Sequence, residues 1–159
     1  MSNFFNAMSL SSSGLSSQRT RLNVVSSNIA NINTTRTPEG GPYRRKQTVI
    51  AALPDGNTFL DELRGAEGKS AGGTSPNADL INGTRHARVV GISEDAREPM
   101  MKFDPSHPDA NEEGYVALPN IDIYEEMVDL MQARTTYEAN ANAFNVTKMM
   151  AGKALELGK

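Results

Sequence analysis

The chain has 159 residues, no Cys, no Trp and a formal net charge of −3, a length that suits one domain, or one domain with arms. Leu, Ile, Val and Phe supply only 31 of the 159 residues, so a well-filled independent core is not expected. The missing thiols exclude disulfide scaffolds, thiolate zinc sites and cysteine nucleophiles, and the longest apolar run, Val49 to Leu53, is far short of the ~20 residues that span a bilayer.

The first ten residues have neither a basic leader nor an apolar stretch nor a small-residue cleavage site, so no cleaved signal peptide is expected. From Phe4 to Ile32 there is no Pro and one Gly, Gly14. Met8, Leu15, Leu22 and Ile29 recur every seven residues. Phe4, Ser11, Gln18, Val25 and Ile32 form a companion row. The two rows predict an amphipathic helix or coiled-coil seam, which Thr34, Thr35 and Pro38 end.

Gly40-Gly41-Pro42 is a turn signal, and Tyr43 to Leu53 contains a predicted strand that stops at Pro54. Residues 54–84 are Gly-rich and nearly bare of large apolar side chains. They read as a flexible excursion or surface hairpin, with a short helical turn at 59–63. Strands are predicted at Val89 to Ile92, Met100 to Phe103 and Gly114 to Leu118, the last two separated by the Pro-punctuated run Asp104-Pro105-Ser106-His107-Pro108-Asp109.

The C-terminal segment repeats the N-terminal pattern. Ile123, Leu130, Tyr137, Phe144 and Ala151 form one row, and Met127, Arg134, Ala141, Lys148 and Leu155 the second. Asp122 or Asn120 can cap this helix, with Glu125, Glu126 and Asp129 near its positive end. The expected fold class is α+β: a long N-terminal helical arm (1–36), a small antiparallel β-rich middle (37–120, carrying the insertion 54–84) and a long C-terminal helix (121–159), the two helices packing as a coiled-coil-like pair.

Charge is uneven. Residues 1–48 carry +5, residues 49–108 carry −3 and residues 109–159 carry −5. The two arms can attract each other within a chain or between copies, or present two solvated faces. Arg44-Arg45-Lys46 is too short a basic run for a nucleic-acid surface.

Chemistry is sparse. Gly68-Lys69-Ser70 lacks the upstream Gly of a phosphate loop, because that position is Leu63. His107, between Asp104 and Asp109, reads as a turn stabiliser rather than a metal ligand. Glu112-Glu113 and Glu125-Glu126 read as solvated charge. No catalytic constellation emerges, so no enzyme activity, cofactor or metal is expected.

Two runs carry a resemblance. Ser13-Gly14-Leu15-Ser16-Ser17-Gln18-Arg19, Arg21-Leu22 and Asn28-Ile29-Ala30-Asn31-Ile32-Asn33-Thr34-Thr35 resemble the N-terminal signature of bacterial flagellar axial proteins. Glu126 to Met131, Ala133-Arg134, Tyr137-Glu138-Ala139-Asn140 and Lys148-Met149-Met150 resemble the C-terminal one. The middle motifs, Gly41-Pro42-Tyr43 with the flanking Gly40, Arg44 and Arg45, and Asp104, Pro105, His107, Pro108 followed by Gly114-Tyr115, are similar to those of the proximal rod proteins of the basal body.

The resemblance implies a non-catalytic subunit of the rod, the drive shaft of the motor. It implies synthesis in the cytoplasm, passage through the flagellar type III export apparatus, and a final place in the periplasmic part of the cell envelope. Its partners would be further copies, other rod subunits, the distal rod, and the rod's junction with the export gate and ring. The stripe residues Met8, Leu15, Leu22, Val25, Ile29, Ile32, Ile123, Met127, Leu130, Tyr137, Ala141 and Phe144 are then the expected assembly interface. Thin stripes of this kind would complete their core with neighbouring subunits.

Overall fold

A computed structural model of the chain describes residues 2–54 and 85–157. Its order is α1 (Ser2–Ala30), β1 (Lys46–Pro54), β2 (Arg85–Glu94), β3 (Met100–Phe103), β4 (Tyr115–Leu118) and α2 (Ile123–Leu157). The architecture is α+β, with two long terminal helices and a small antiparallel middle. The excursion expected over 54–84, its short helical turn and Gly68-Lys69-Ser70 lie outside the described residues, apart from Pro54 itself.

α1 runs unbroken for 29 residues, about 43 Å at 1.5 Å per residue. It stops two residues before the predicted end. The Asn31 N–H is shared between the carbonyls of Ser27 and Asn28 at 3.1 and 3.2 Å, and the Thr34 N–H bonds Asn31 O at 3.0 Å, so the last turn tightens and closes. α2 is longer, 35 residues. Asp122 is its cap, accepting the Tyr124 N–H on Oδ1 at 2.8 Å, with Glu125 and Glu126 in the first turn, where the helix dipole favours them.

The four predicted strands all form, but as two separate two-stranded sheets. β1 pairs antiparallel with β2, Lys46 opposite Glu94 and Pro54 opposite Arg85. Val49 faces Gly91 and Ile50 faces Val89, so Val90 is the extra residue of a bulge. An isolated two-stranded ribbon is marginal in water. This one leans on α1: both strands pack against the helix, and Ser17, on α1, donates its hydroxyl to Ala87 O at 2.6 Å. β3 pairs with β4, Met100 opposite Leu118. Its buried Val116 lines a cleft with Thr35, Pro42 and Pro108.

The buried interior is small and half polar. Among the described residues its apolar members are Val25, Tyr43, Val116, Ile121 and Ala133, and its polar members are Ser17, Asn28, Arg45, His86 and Glu126.

Candidate assembly surface and its polar hub

The helices pair antiparallel. Gly14 on α1 meets Asn140 on α2, Arg21 reaches Asp129, and Asn28 reaches Glu126. Positions 14, 21 and 28 are spaced by seven, as are 126, 133 and 140. Ala133, fully buried, lies between the outer contacts. A Cβ at position 14 would come within 2.9 Å of Asn140 Nδ2 and 3.1 Å of its Cγ, so glycine is what lets the helices approach there.

At the other end of the contact sits a polar hub. The Asn28 amide faces the backbone of Lys46: Nδ2 donates to Lys46 O at 2.9 Å, and the Lys46 N–H donates to Oδ1 at 3.0 Å. A side-chain amide here substitutes for a neighbouring strand at the start of β1. Nδ2 also donates to Glu126 Oε2 at 3.0 Å, and the Tyr43 hydroxyl donates to Oδ1 at 3.1 Å. Asn28 thus uses all four of its hydrogen-bonding positions.

Arg45 enters from the segment between α1 and β1. Its Nε donates to Glu126 Oε1 at 2.5 Å, and its Nη2 lies 3.3 Å from Glu125 and 3.9 Å from Asp129. Arg21 Nη2 bonds the other Asp129 oxygen at 3.0 Å. Burial works against the charge on Arg45. The bond it donates to Glu126 and the attraction of Glu126 and Glu125 outweigh that, and the guanidinium is held above its ordinary range. The hub borders an open groove of about 430 Å³ between α1, β1 and the start of α2.

Glu126 corrects the reading of Glu125-Glu126 as solvated charge. Glu126 is 1% exposed and hydrogen-bonded on both oxygens, whereas Glu125 is exposed. Part of the charge contrast between the arms is therefore spent within the chain, through Arg21 and Arg45 on one side and Glu125, Glu126 and Asp129 on the other.

The stripe residues fall into two groups. On α1, Val25 is buried and Met8, Leu15, Leu22 and Ile29 are half-buried, as is Ile32 just beyond the helix. On α2, Leu130, Ala141 and Phe144 are half-buried, but Ile123, Met127 and Tyr137 are 37 to 47% exposed. Within one chain the α2 row of closest approach is Glu126, Ala133 and Asn140, one residue before the row through Met127. The apolar side chains that this rotation leaves outside are Tyr124, Met127, Val128 and Met131 near one end and Val146, Met149, Met150 and Leu155 near the other. Phe4 and Phe5 meet the second group across an apolar cleft.

The motif residues build turns. Ala30 is the last residue of α1 and is exposed. Asn31 Nδ2 donates to Ser27 O at 2.9 Å, and the Thr34 hydroxyl donates to Asn31 Oδ1 at 3.1 Å. Gly41, at φ 78°, accepts the Thr37 N–H on its carbonyl. Pro42 leads into Tyr43, whose N–H bonds Thr34 O at 3.1 Å. Thr35 reaches across to Asp109 at 2.7 Å.

In the second motif Asp104 Oδ1 accepts from Ser106 Oγ and N, which holds the carboxyl below its ordinary range. His107 Nδ1 accepts the Asp109 N–H at 3.1 Å, the turn-stabilising role expected for it. Gly114, at φ 82°, lies against Phe103 and Pro105, and Tyr115 stacks edge-on to Phe103 at 5.3 Å. Pro108 is exposed.

The residues that a hydrophobic pattern misses are Gly14, Arg21, Arg45, Glu126, Asp129 and Ala133, because all are small or charged. The available signal was the heptad spacing of Gly14, Arg21 and Asn28.

Comparison with known proteins fits this arrangement. Residues 8–36 match the family described as Flagella basal body rod protein, and residues 112–157 match the one described as Flagellar basal body rod FlgEFG protein C-terminal. Whole-chain similarity extends further. Proteins named flagellar basal-body rod protein FlgC are 42% identical in Bacillus subtilis (98% of each chain), 38% in Borreliella burgdorferi (96% of each) and 33% in Aquifex aeolicus (100% of each).

Proposed function

The chain belongs to the FlgC family of flagellar basal-body rod proteins, and we propose that it is a structural, non-catalytic subunit of the proximal rod. It leaves the cytoplasm through the flagellar type III apparatus and polymerises through its terminal helices into the shaft that transmits torque. Its neighbours are further copies and other rod subunits, with the export gate and ring at one end and the distal rod at the other.

The observation that carries this reading is the apolar outer surface of α2. Tyr124, Val128, Met131, Met149, Met150 and Leu155 are each at least 62% exposed, while the buried interior among the described residues is half polar. Scattered apolar side chains are ordinary on a surface; two groups of them along one long helix support burial against another subunit. Helices packed along their length also supply the stiffness a shaft needs. Similarity to FlgC proteins runs through the middle motifs as well as the ends, which favours a proximal rod subunit over another axial protein sharing only the terminal signatures.

The test is location. A tagged chain that restores swimming to a strain lacking it should co-purify with isolated basal bodies. A chain that stays in the cytoplasm of cells with a working export apparatus would overturn the reading.

A further inference from the structure

We propose that Met127 and Met131 are a reversible oxidation site that gates assembly: as thioethers they belong to an apolar patch that another subunit covers, and as sulfoxides they keep that subunit off. The inference rests on the assembly reading above and names a modification that regulates the same surface.

The chain holds eight methionines and no Cys, so its thioethers are the only side-chain sulfur an oxidant meets. Among the described residues six of them are exposed, at 100, 101, 127, 131, 149 and 150. Only one pair shares a surface. Met100 and Met101 are neighbours in β3, where successive side chains point to opposite faces. Met149 and Met150 are neighbours in α2, about 100° apart around the helix axis, and Met150 lines a cleft with Phe4 and Phe5. Met127 and Met131 are four apart in α2, so they lie together on one face, 47% and 62% exposed, with the exposed Tyr124 and Val128 beside them. An oxidant reaches both sulfurs in an unassembled chain and neither once a neighbour covers the patch.

The oxidant is a hypohalous acid. The thioether sulfur attacks the chlorine of hypochlorous acid, and the Cl–O bond breaks, releasing hydroxide. Water then forms the S–O bond as chloride leaves; one of its protons joins the hydroxide and the other passes to solvent. Sulfur loses two electrons and chlorine gains them. The sulfoxide is polar, and its oxygen requires a hydrogen-bond donor that an apolar contact does not supply. A methionine sulfoxide reductase reverses the change, taking two electrons from a dithiol and releasing the oxygen as water.

The full chain tests this in three ways. Purified chain and isolated basal bodies receive the same dose of hypochlorous acid, and mass spectrometry follows oxygen added at each methionine. Oxidation at 127 and 131 should be roughly tenfold or more slower in basal bodies, and equal rates overturn the proposal. In untreated cells, Met127→Gln with Met131→Gln puts a polar side chain of similar length at both positions. Recovery of the chain with basal bodies should fall by roughly tenfold or more. Met127→Leu with Met131→Leu stays apolar and takes up no oxygen, so recovery should stay within about threefold of wild type. A Gln pair recovered like wild type overturns the proposal, and so does a Leu pair as depleted as the Gln pair, since that would assign the loss to shape. After an oxidant pulse, chain made before the pulse should stay out of new basal bodies in a strain lacking methionine sulfoxide reductases and enter them once a reductase is supplied. Entry in both cases, or in neither, overturns the proposal. Untreated wild-type chain absent from basal bodies would instead refute the assembly reading itself.

Discussion

Asn28→Asp tests the hub most directly, because it changes chemistry with almost no change of shape. The oxygen that accepts from Lys46 N–H and the Tyr43 hydroxyl is kept. Both donors are lost. Lys46 O forfeits its bond, at a cost of about 1–3 kcal/mol, and a carboxylate oxygen replaces the amide nitrogen 3.0 Å from Glu126 Oε2. Two unit charges at that distance repel by about 5 kcal/mol at an effective dielectric of 20. Arg45 and Arg21, both close by, offset part of this.

The expected net loss is about 3–5 kcal/mol at pH 7. Asn28→Ala removes the same bonds without the repulsion and should lose only about 2–3 kcal/mol. The assay is urea denaturation followed by circular dichroism at neutral pH and again near pH 5. The new carboxylate pair binds a proton more readily folded than unfolded, so stability rises as pH falls, and the gap between the Asp and Ala variants should narrow. An Asp variant as stable as the wild type at pH 7, or a gap that does not change with pH, would refute the account of the hub.

Three further perturbations separate packing, assembly and loop chemistry. Gly14→Leu drives a side chain into Asn140 and should cost about 1–3 kcal/mol, read as a melting temperature lowered by several degrees; adding Asn140→Ala should restore part of it, and no restoration would place the clash elsewhere. Met127→Lys and Met131→Lys alter side chains already 47% and 62% exposed, so stability should stay within about 0.5 kcal/mol while swimming is lost; normal motility in both would remove this face from the assembly surface. Asp104 sits below the ordinary carboxylate range because Ser106 donates to it, so that contact is present at neutral pH and is lost as pH falls through the lowered value. In Ser106→Ala an NMR titration should find Asp104 moved up towards its ordinary value, and an unmoved titration would assign the shift to another cause.

The elements were legible because their signals are local. Absence of Pro from 4 to 32, strand-forming runs ended by Pro54 and Pro119, and Asp122 ahead of an acidic turn fixed where helices and strands lie to within a few residues. The face of α2 was not legible. Its apolar rows through 123, 130 and 137 and through 127 suggest one contact face, but the chain's own partner face runs through Glu126, Ala133 and Asn140. An apolar periodicity records every surface that will be buried, whether by the same chain or by another. A residue such as Glu126 gives no apolar signal at all. Its burial depends on Arg45, 81 positions away, and no window of neighbouring sequence contains both.

Register and association are thus assigned to different chemistry. Apolar stripes slide: a helix displaced by one heptad still buries Leu against Met. A buried pair of opposite charge cannot slide, because a shifted register strands a carboxylate or a guanidinium away from water. Placing Asn28, Arg45 and Glu126 inside and Tyr124, Val128 and Met131 outside inverts the usual arrangement of a soluble domain. The inner contacts fix how α1 and α2 line up within a chain, and Gly14 against Asn140 fixes how closely they approach. The exposed α2 side chains are apolar and rich in methionine, a composition that suits a surface meeting partners that are not identical. On the function proposed above the subunit meets both further copies and other rod proteins, and this division serves it, since a rigid internal register lets one exposed face be presented the same way to each of them.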